Sequence, residues 1–178
     1  VLVCVTDPQG GITWYEYDSL GQKTRVVYPN ATQANYVYDA LHRLIQLDNR
    51  GPSQEILSSH QFILGPTGNR LQAIESGGRV VAYQYDPLYR LTQEVVTDAV
   101  AGNSTLDFSY DAVGNRLTQV LNGVTTAYTY DDNDRLLTEG AVSYTYDANG
   151  NTLTKTGPEG VVTSVYDAEN RLVSVSVG

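Results

Sequence analysis

F-S-Y-D-A-V-G-N-R-L, residues Phe108 to Leu117, is the stretch whose reading decides the fold. Two aromatics, Phe108 and Tyr110, stand two residues apart. Residues i and i+2 share a face of a strand but not of a helix. Asp111 follows, then small residues and a glycine, then Arg116-Leu117. An Asp at the start of a turn accepts hydrogen bonds from backbone N–H groups two residues on, and Gly supplies the φ > 0 position. The ten residues therefore read as strand, hairpin turn, strand.

The same frame recurs along the chain. Tyr-Asp stands at Tyr17-Asp18, Tyr38-Asp39, Tyr85-Asp86, Tyr110-Asp111, Tyr130-Asp131, Tyr146-Asp147 and Tyr166-Asp167. A decayed copy, F-I-L-G-P-T-G-N-R-L from Phe62, carries Leu64-Gly65 in place of Tyr-Asp. Twelve of the 14 tyrosines fall in Tyr-x-Tyr-Asp, and only Tyr28 and Tyr89 lie outside it. A period of this kind marks an array of one unit. Arg follows the Tyr position by five at Arg43, Arg90, Arg135 and Arg171. It follows by six at Arg70 and Arg116, with Lys23 in that place in the first copy. The six-residue spacing carries an added Gly-Asn or Gly-Gln, which predicts a bulge or wider loop there.

A second strand follows each turn, for example Arg90 to Val96, and a return turn leads to the next Tyr-x-Tyr. Asn122-Gly123 and Gly77-Gly78 are short returns. Gly51 to Ser58 and Thr97 to Ser104 read as longer loops, open to individual specialisation. One unit is a β-hairpin, and the chain should hold roughly 15 to 17 strands of about five residues. Residues 1–178 form a single array of about eight units, with a partial unit at 1–13 and the decayed unit near 60–72. The fold class is all-β: tandem hairpins in a curved, largely antiparallel sheet. Each Tyr is expected to pack on the Tyr of its neighbours as a cross-strand ladder. Asp and Arg flank the turn, and an exposed pair of that kind contributes only about 0–1 kcal/mol. The loss at Leu64-Gly65 should make that turn the weakest.

Composition narrows the function. The net charge of −9 comes largely from 13 Asp residues, seven of which belong to the repeat. No basic stripe exists to replace phosphate counterions, which disfavours a nucleic-acid partner. No apolar run is long enough to insert in a membrane as a helix. Cys4 is the only cysteine, so no internal disulfide or Cys-based zinc site can form. The chain begins at Val1 and lacks Met, and it reads as a fragment of a longer protein. Asp131-Asp132-Asn133-Asp134 resembles the start of a calcium loop but has no Gly at the sixth position and no closing Glu. His42, in the glycine-like slot of its turn, and His60 come with no recurring nucleophile. No catalytic, cofactor-binding or metal-ligating residue is assigned, and the expectation is a protein that is not an enzyme and needs no cofactor.

The pattern Y-x-Y-D-x-x-G-(N)-R-L resembles the YD repeat of Rhs proteins. Similar repeats occur in bacterial polymorphic toxins, in the B and C components of toxin complexes, in wall-associated proteins and in animal teneurins. The resemblance covers nearly the whole chain. It implies a β-strip that spirals into a hollow shell, which in the toxins encloses a C-terminal effector domain. The repeated Tyr, Asp and Arg residues are then structural. The implied role is a scaffold that encapsulates, carries or displays an effector as part of a larger secreted or surface bacterial protein. Its partners would be neighbouring repeats and the enclosed effector. The autoproteolytic segment of the toxins is not recognisable here. The alternative is an extracellular carbohydrate- or protein-binding module that uses the Tyr-rich face. A piece this short should form an open sheet, whose end strands invite self-association edge to edge.

Overall fold

A computed structural model describes all residues, Val1–Gly178. It contains seventeen strands and no helix, at the top of the range read from the sequence. The chain divides into two compact units, Val1–Ser104 and Thr105–Gly178. The first holds β1 (Leu2–Thr6), β2 (Ile12–Tyr17), β3 (Lys23–Val27), β4 (Gln33–Tyr38), β5 (Leu44–Arg50), β6 (Ile56–Leu64), β7 (Arg70–Glu75), β8 (Val80–Tyr85) and β9 (Leu91–Thr97). The second holds β10 (Ser104–Tyr110, starting at the junction), β11 (Arg116–Leu121), β12 (Val124–Tyr130), β13 (Leu136–Glu139), β14 (Val142–Tyr146), β15 (Thr152–Gly157), β16 (Gly160–Tyr166) and β17 (Leu172–Val177). Within each unit every strand pairs antiparallel with the next, as β4 does with β5 and β14 with β15. Neither unit pairs its first strand with its last, so each is an open strip.

Alternation along the strands gives the strip two unlike faces. On one face the register runs Phe62, Ala73, Val81, Val96 across β6 to β9, and Tyr15, Val26, Ala34 across β2 to β4. Ala73, Val81 and Val96 are buried and pack with Phe62 and Tyr83. Val26 and Ala34 are also buried in the first unit, and Tyr128 is buried in the second. The opposite face is polar. Glu16 pairs with Arg25 at 3.2 Å. The Ser59 hydroxyl donates to buried Asp48 at 2.6 Å, and Arg50 lies 3.3 Å from the same carboxylate. The Ser59 bond, then those from Gln46 and Arg50, hold Asp48 below the usual carboxylate range against the opposing pull of burial. In the second unit this face carries hydroxyl pairs, Ser109 with Thr118 at 2.5 Å and Thr129 with Thr138 at 2.6 Å.

The expected loop from Gly51 to Ser58 is shorter than its spacing suggested. β6 begins at Ile56 and is nine residues long, so the extra chain lengthens a strand. Residues 51–55 close a tight turn, with Gly51 N–H on Glu55 O and Gln54 N–H on Gly51 O. The second expected loop is a loop, residues 98–103. It is closed by Asp98, whose carboxylate accepts from Val100 and Ala101 N–H.

The aromatic face supplies the core, so it should dominate stability. Val81→Ala is expected to lower unfolding free energy by about 2 kcal/mol, as buried large-to-small changes do. Exposed Val113→Ala should change it by less than about 0.5 kcal/mol. Urea titrations of both variants test the contrast.

Candidate functional site

The repeated turn is the only chemistry the chain duplicates, and it is built around one carboxylate. In the Asp39 turn, Asp39 N–H bonds Arg43 O and His42 N–H bonds Asp39 O. Asp39 Oδ1 accepts from Leu41 N–H at 2.9 Å and Arg43 N–H at 3.0 Å. His42 takes φ 63°, the left-handed slot its sequence position suggested. This is a three-residue hairpin loop with a bulge. Asp18, Asp86, Asp131, Asp147 and Asp167 accept in the same way from the second and fourth following N–H groups. Asp111 accepts from the third as well. Asp7 closes the return between β1 and β2 identically.

All these turns have one length, contrary to the two lengths read from the Tyr-to-Arg spacing. Tyr38 faces Leu44, Tyr110 faces Arg116 and Tyr17 faces Lys23, always six residues on. The spacing shifts the Arg along the strand instead of widening the loop. Arg43, Arg90, Arg135 and Arg171 stand fourth after Asp and return Nε to its Oδ2 at 2.6–2.8 Å. In the other copies an amide takes that place, Asn115 at 3.1 Å and Asn151 at 2.8 Å. The displaced cation then faces the aromatics. Lys23 Nζ sits 4.5 Å from the Tyr36 ring, and the Arg70 guanidinium 4.1 Å from Phe62. Arg116 lies 5.8 Å from Phe108 and 4.3 Å from Tyr128, its buried Nε covered by rings and making no hydrogen bond.

The tyrosines do not form the direct Tyr-on-Tyr ladder that was expected. Each Tyr-x-Tyr strand is separated from the next by a return strand, whose side chains fill the rungs. Glu139 lies between Tyr128 and Tyr144 and accepts from both hydroxyls, at 3.2 and 3.1 Å. The Tyr of Tyr-Asp instead links hairpins through its hydroxyl. Tyr38 donates to Lys23 O, Tyr85 to Arg70 O, Tyr130 to Arg116 O and Tyr146 to Leu136 O, at 2.7–3.0 Å. Each acceptor is the carbonyl of the residue opposite the preceding Tyr position. By sequence alone, Gln22, Asn69 and Asn115 read as added residues of a longer turn, and Asn151 and Glu139 have no role. Counting from Asp instead of from Arg would have exposed the four amides; Glu139 has no repeated signal.

At the decayed copy the backbone turn survives. Gly65 N–H bonds Asn69 O, and Gly68 N–H bonds Gly65 O. Asn69 folds toward the space a carboxylate would occupy and accepts from Thr67 Oγ1 at 2.8 Å. A cavity of about 270 Å³ opens beside it, bordered by Tyr85, Asp86 and Tyr89. The other sharp readings find no convergence of groups. Asp131 is occupied by its own turn and Asp134 accepts from Asn115. No group of three or more His, Cys, Asp or Glu is placed to hold a metal ion. His42 sits at an exposed turn 3.1 Å from Gln22, while Cys4 lies mid-strand in β1 opposite Trp14.

Two outcomes test this chemistry. Tyr130→Phe removes one inter-hairpin bond and should cost about 0.5–1.5 kcal/mol, whereas Tyr166→Phe, whose hydroxyl has no protein partner, should be near neutral in urea titrations. The carboxylates give the second. Asp39 is lowered by the Arg43 side chain and then its N–H, Asp131 by Arg135 N–H, Asp147 by the Asn151 side chain and Asp167 by Arg171 N–H. At Asp86 and Asp111 desolvation is the largest influence and pulls upward, but the turn bonds outweigh it. A lowered folded pKa contributes stability that is complete above the unfolded value, about 3.9, and fades as pH falls through the folded value. Thermal midpoints should therefore be flat from about pH 5 to 8 and drop below about pH 4. Asp131→Asn/Asp147→Asn should be less stable at neutral pH and show a shallower acid drop.

Comparison with known proteins accords with this repeated architecture. A family model described as the teneurin YD-shell matches residues 67–177. Double-stranded DNA deaminase toxin A of Burkholderia cenocepacia (strain H111) is 29% identical over 125 residues, 69% of this chain and 8% of the toxin. The crystal structure of TcdB2-TccC3-Cdc42 aligns with 97% of this chain and 12% of its own, at TM-score 0.64 and 17% identity. The Tc holotoxin pore of Photorhabdus luminescens aligns with 98% and 12%, at TM-score 0.61 and 16% identity. The chain thus spans about a tenth of the length of each of these three proteins, and the likeness to the two solved structures is one of fold. With the family model covering more than half of its length, the chain belongs to the teneurin YD-shell family.

Proposed function

We propose that residues 1–178 are one stretch of wall in a YD-repeat shell that encloses or carries an effector domain, and that the stretch performs no chemistry itself. The observation that carries this reading is the hairpin-to-hairpin linkage. The turn carboxylates close their own turns, and the Tyr38, Tyr85, Tyr130 and Tyr146 hydroxyls bind the adjacent hairpin. Family membership and the fold shared with Tc toxin chains support it. The likeness to a deaminase toxin supports a toxin as cargo, carried outside this stretch. Zinc deaminases use a His and two Cys, or three Cys, on the metal, and this chain has Cys4 alone. The same relatives support delivery outside a bacterial cell.

The binding-module alternative has less to stand on. Tyr128 is buried and Tyr130 half-buried with its hydroxyl bonded. The two exposed tyrosines, Tyr28 and Tyr89, are those outside the motif. The edge strands are a different matter. β1 and β17 are exposed along their whole length and rich in Val, so the isolated chain should pair edge to edge with a second copy.

The test is limited proteolysis of the full-length protein that contains this stretch. A domain resistant in native buffer and cleaved once urea opens the β-strip is the expected result. A domain cleaved equally fast in both conditions would sink the shell reading. Sedimentation velocity on the 178-residue chain should show mass rising with concentration, and a constant monomer would contradict the edge pairing.

A further inference from the structure

Counted from the Asp position, the eight turns are of two kinds and they alternate without exception. At Asp18, Gly65, Asp111 and Asp147 the third following residue is Gly and the fourth is Gln or Asn. At Asp39, Asp86, Asp131 and Asp167 the third is His, Tyr, Asp or Asn and the fourth is Arg. The third residue is the left-handed one. It sits at φ 80–107° in the glycine turns and at 60–63° in the arginine turns.

The contacts between neighbouring turns follow the alternation. The amide of a glycine turn reaches the left-handed residue of the next arginine turn. Gln22 meets His42 through Nε2 on its carbonyl at 3.3 Å and Oε1 at Nδ1 at 3.1 Å. Asn115 Nδ2 donates to Asp134 Oδ1 at 2.7 Å, and Asn151 Nδ2 to Asn170 Oδ1 at 2.8 Å. The longer guanidinium of an arginine turn passes the left-handed residue and binds the first carbonyl of the next glycine turn. Arg43 Nη1 donates to Gly65 O at 2.8 Å, and Arg135 Nη1 to Asp147 O at 3.3 Å. A short amide needs a side chain to meet, and a guanidinium needs none. The exception fits the rule: Asn69 turns inward at the turn that lacks its carboxylate, and the cavity beside Tyr89 lies where its bridge is missing.

We propose that the interaction unit of this array is a pair of hairpins, and that turn type decides which hairpin can dock beside which. An amide turn selects an arginine turn as its following neighbour, and an arginine turn selects a glycine turn. The surface beside β17 is then selective. Arg171 is 70% exposed there, with Nη1 resting on Glu169 at 2.9 Å, and it presents the arginine half of a junction. The hairpin that fits beside it carries Gly third and Asn or Gln fourth after its Asp position.

Two measurements on the whole chain test this. In urea titrations, Asn115→Arg alone should lower the unfolding midpoint. Adding Asp134→Gly should recover at least half of that shift beyond the sum of the two single effects, because arginine then meets a glycine turn. Combining Asn115→Arg with the non-neighbouring Asn170→Gly should be additive. Additive behaviour in the neighbouring pair would overturn the proposal. Deletion gives an independent readout. Removing the pair 131–166, 36 residues, preserves the alternation, while removing 131–146 or 147–166, 16 or 20 residues, breaks it. The chain shortened by 36 should melt above both others, against the order expected from size, and the reverse order would equally overturn the pairing rule.

Discussion

The structure depends on one backbone turn of three residues, closed by the same pair of main-chain bonds at Asp39 and at Gly65 and braced at each Asp of the motif by a carboxylate oxygen that accepts two further N–H groups. That geometry admits one loop length, and loop length in a hairpin determines register. Because Tyr and the residue six positions on always face each other, every return strand starts in the same register. The hydroxyl of each linked Tyr can then reach the carbonyl opposite the preceding one. A turn one residue longer would invert every side chain beyond it. The Asp–Arg ion pairs are secondary to this, since pairs as exposed as Arg171 with Asp167 contribute little.

Each unit is a single layer, with no second sheet or helix to cover the apolar face. Its core is correspondingly thin, six buried apolar side chains in the whole chain. Stability is spread instead over half-buried aromatics, cations against rings and hydroxyl-to-carbonyl links, each worth about 1 kcal/mol. Nearest-neighbour terms of this kind add along an array, as in other repeat proteins. The polar face, with its Thr pairs and the Asp48 cluster, keeps one side of the strip wettable without interrupting the ladder.

Much of this could be read from residues alone. Period-2 aromatics, Asp before small residues and a glycine-like slot at His42 predict the strands, the turn and its left-handed residue from local chemistry. What could not be read was relational. Aligning copies on Arg-Leu made Arg43 and Arg116 look equivalent and displaced the difference into the loop. Arg43 instead stands inside its turn on Asp39, whereas Arg116 is the first strand residue, opposite Tyr110. The Tyr ladder failed because a return strand intervenes, and its contribution, Glu139 or Arg116, differs from copy to copy. The excess length after Gly51 went into β6 because the tight turn closes with Gly51 and Gln54 and leaves no free chain. Local signals report a turn's chemistry; they do not report which neighbour that turn will touch.

The Gly65 turn carries a consequence for how such chains change over time. It has lost both residues of the motif, yet its backbone bonds still close it and Arg43 still finds its carbonyl. Redundancy among eight copies lets any one of them drift while the others hold the strip in register. A wall so built can share its course with toxin chains at 17% identity and still follow the same path.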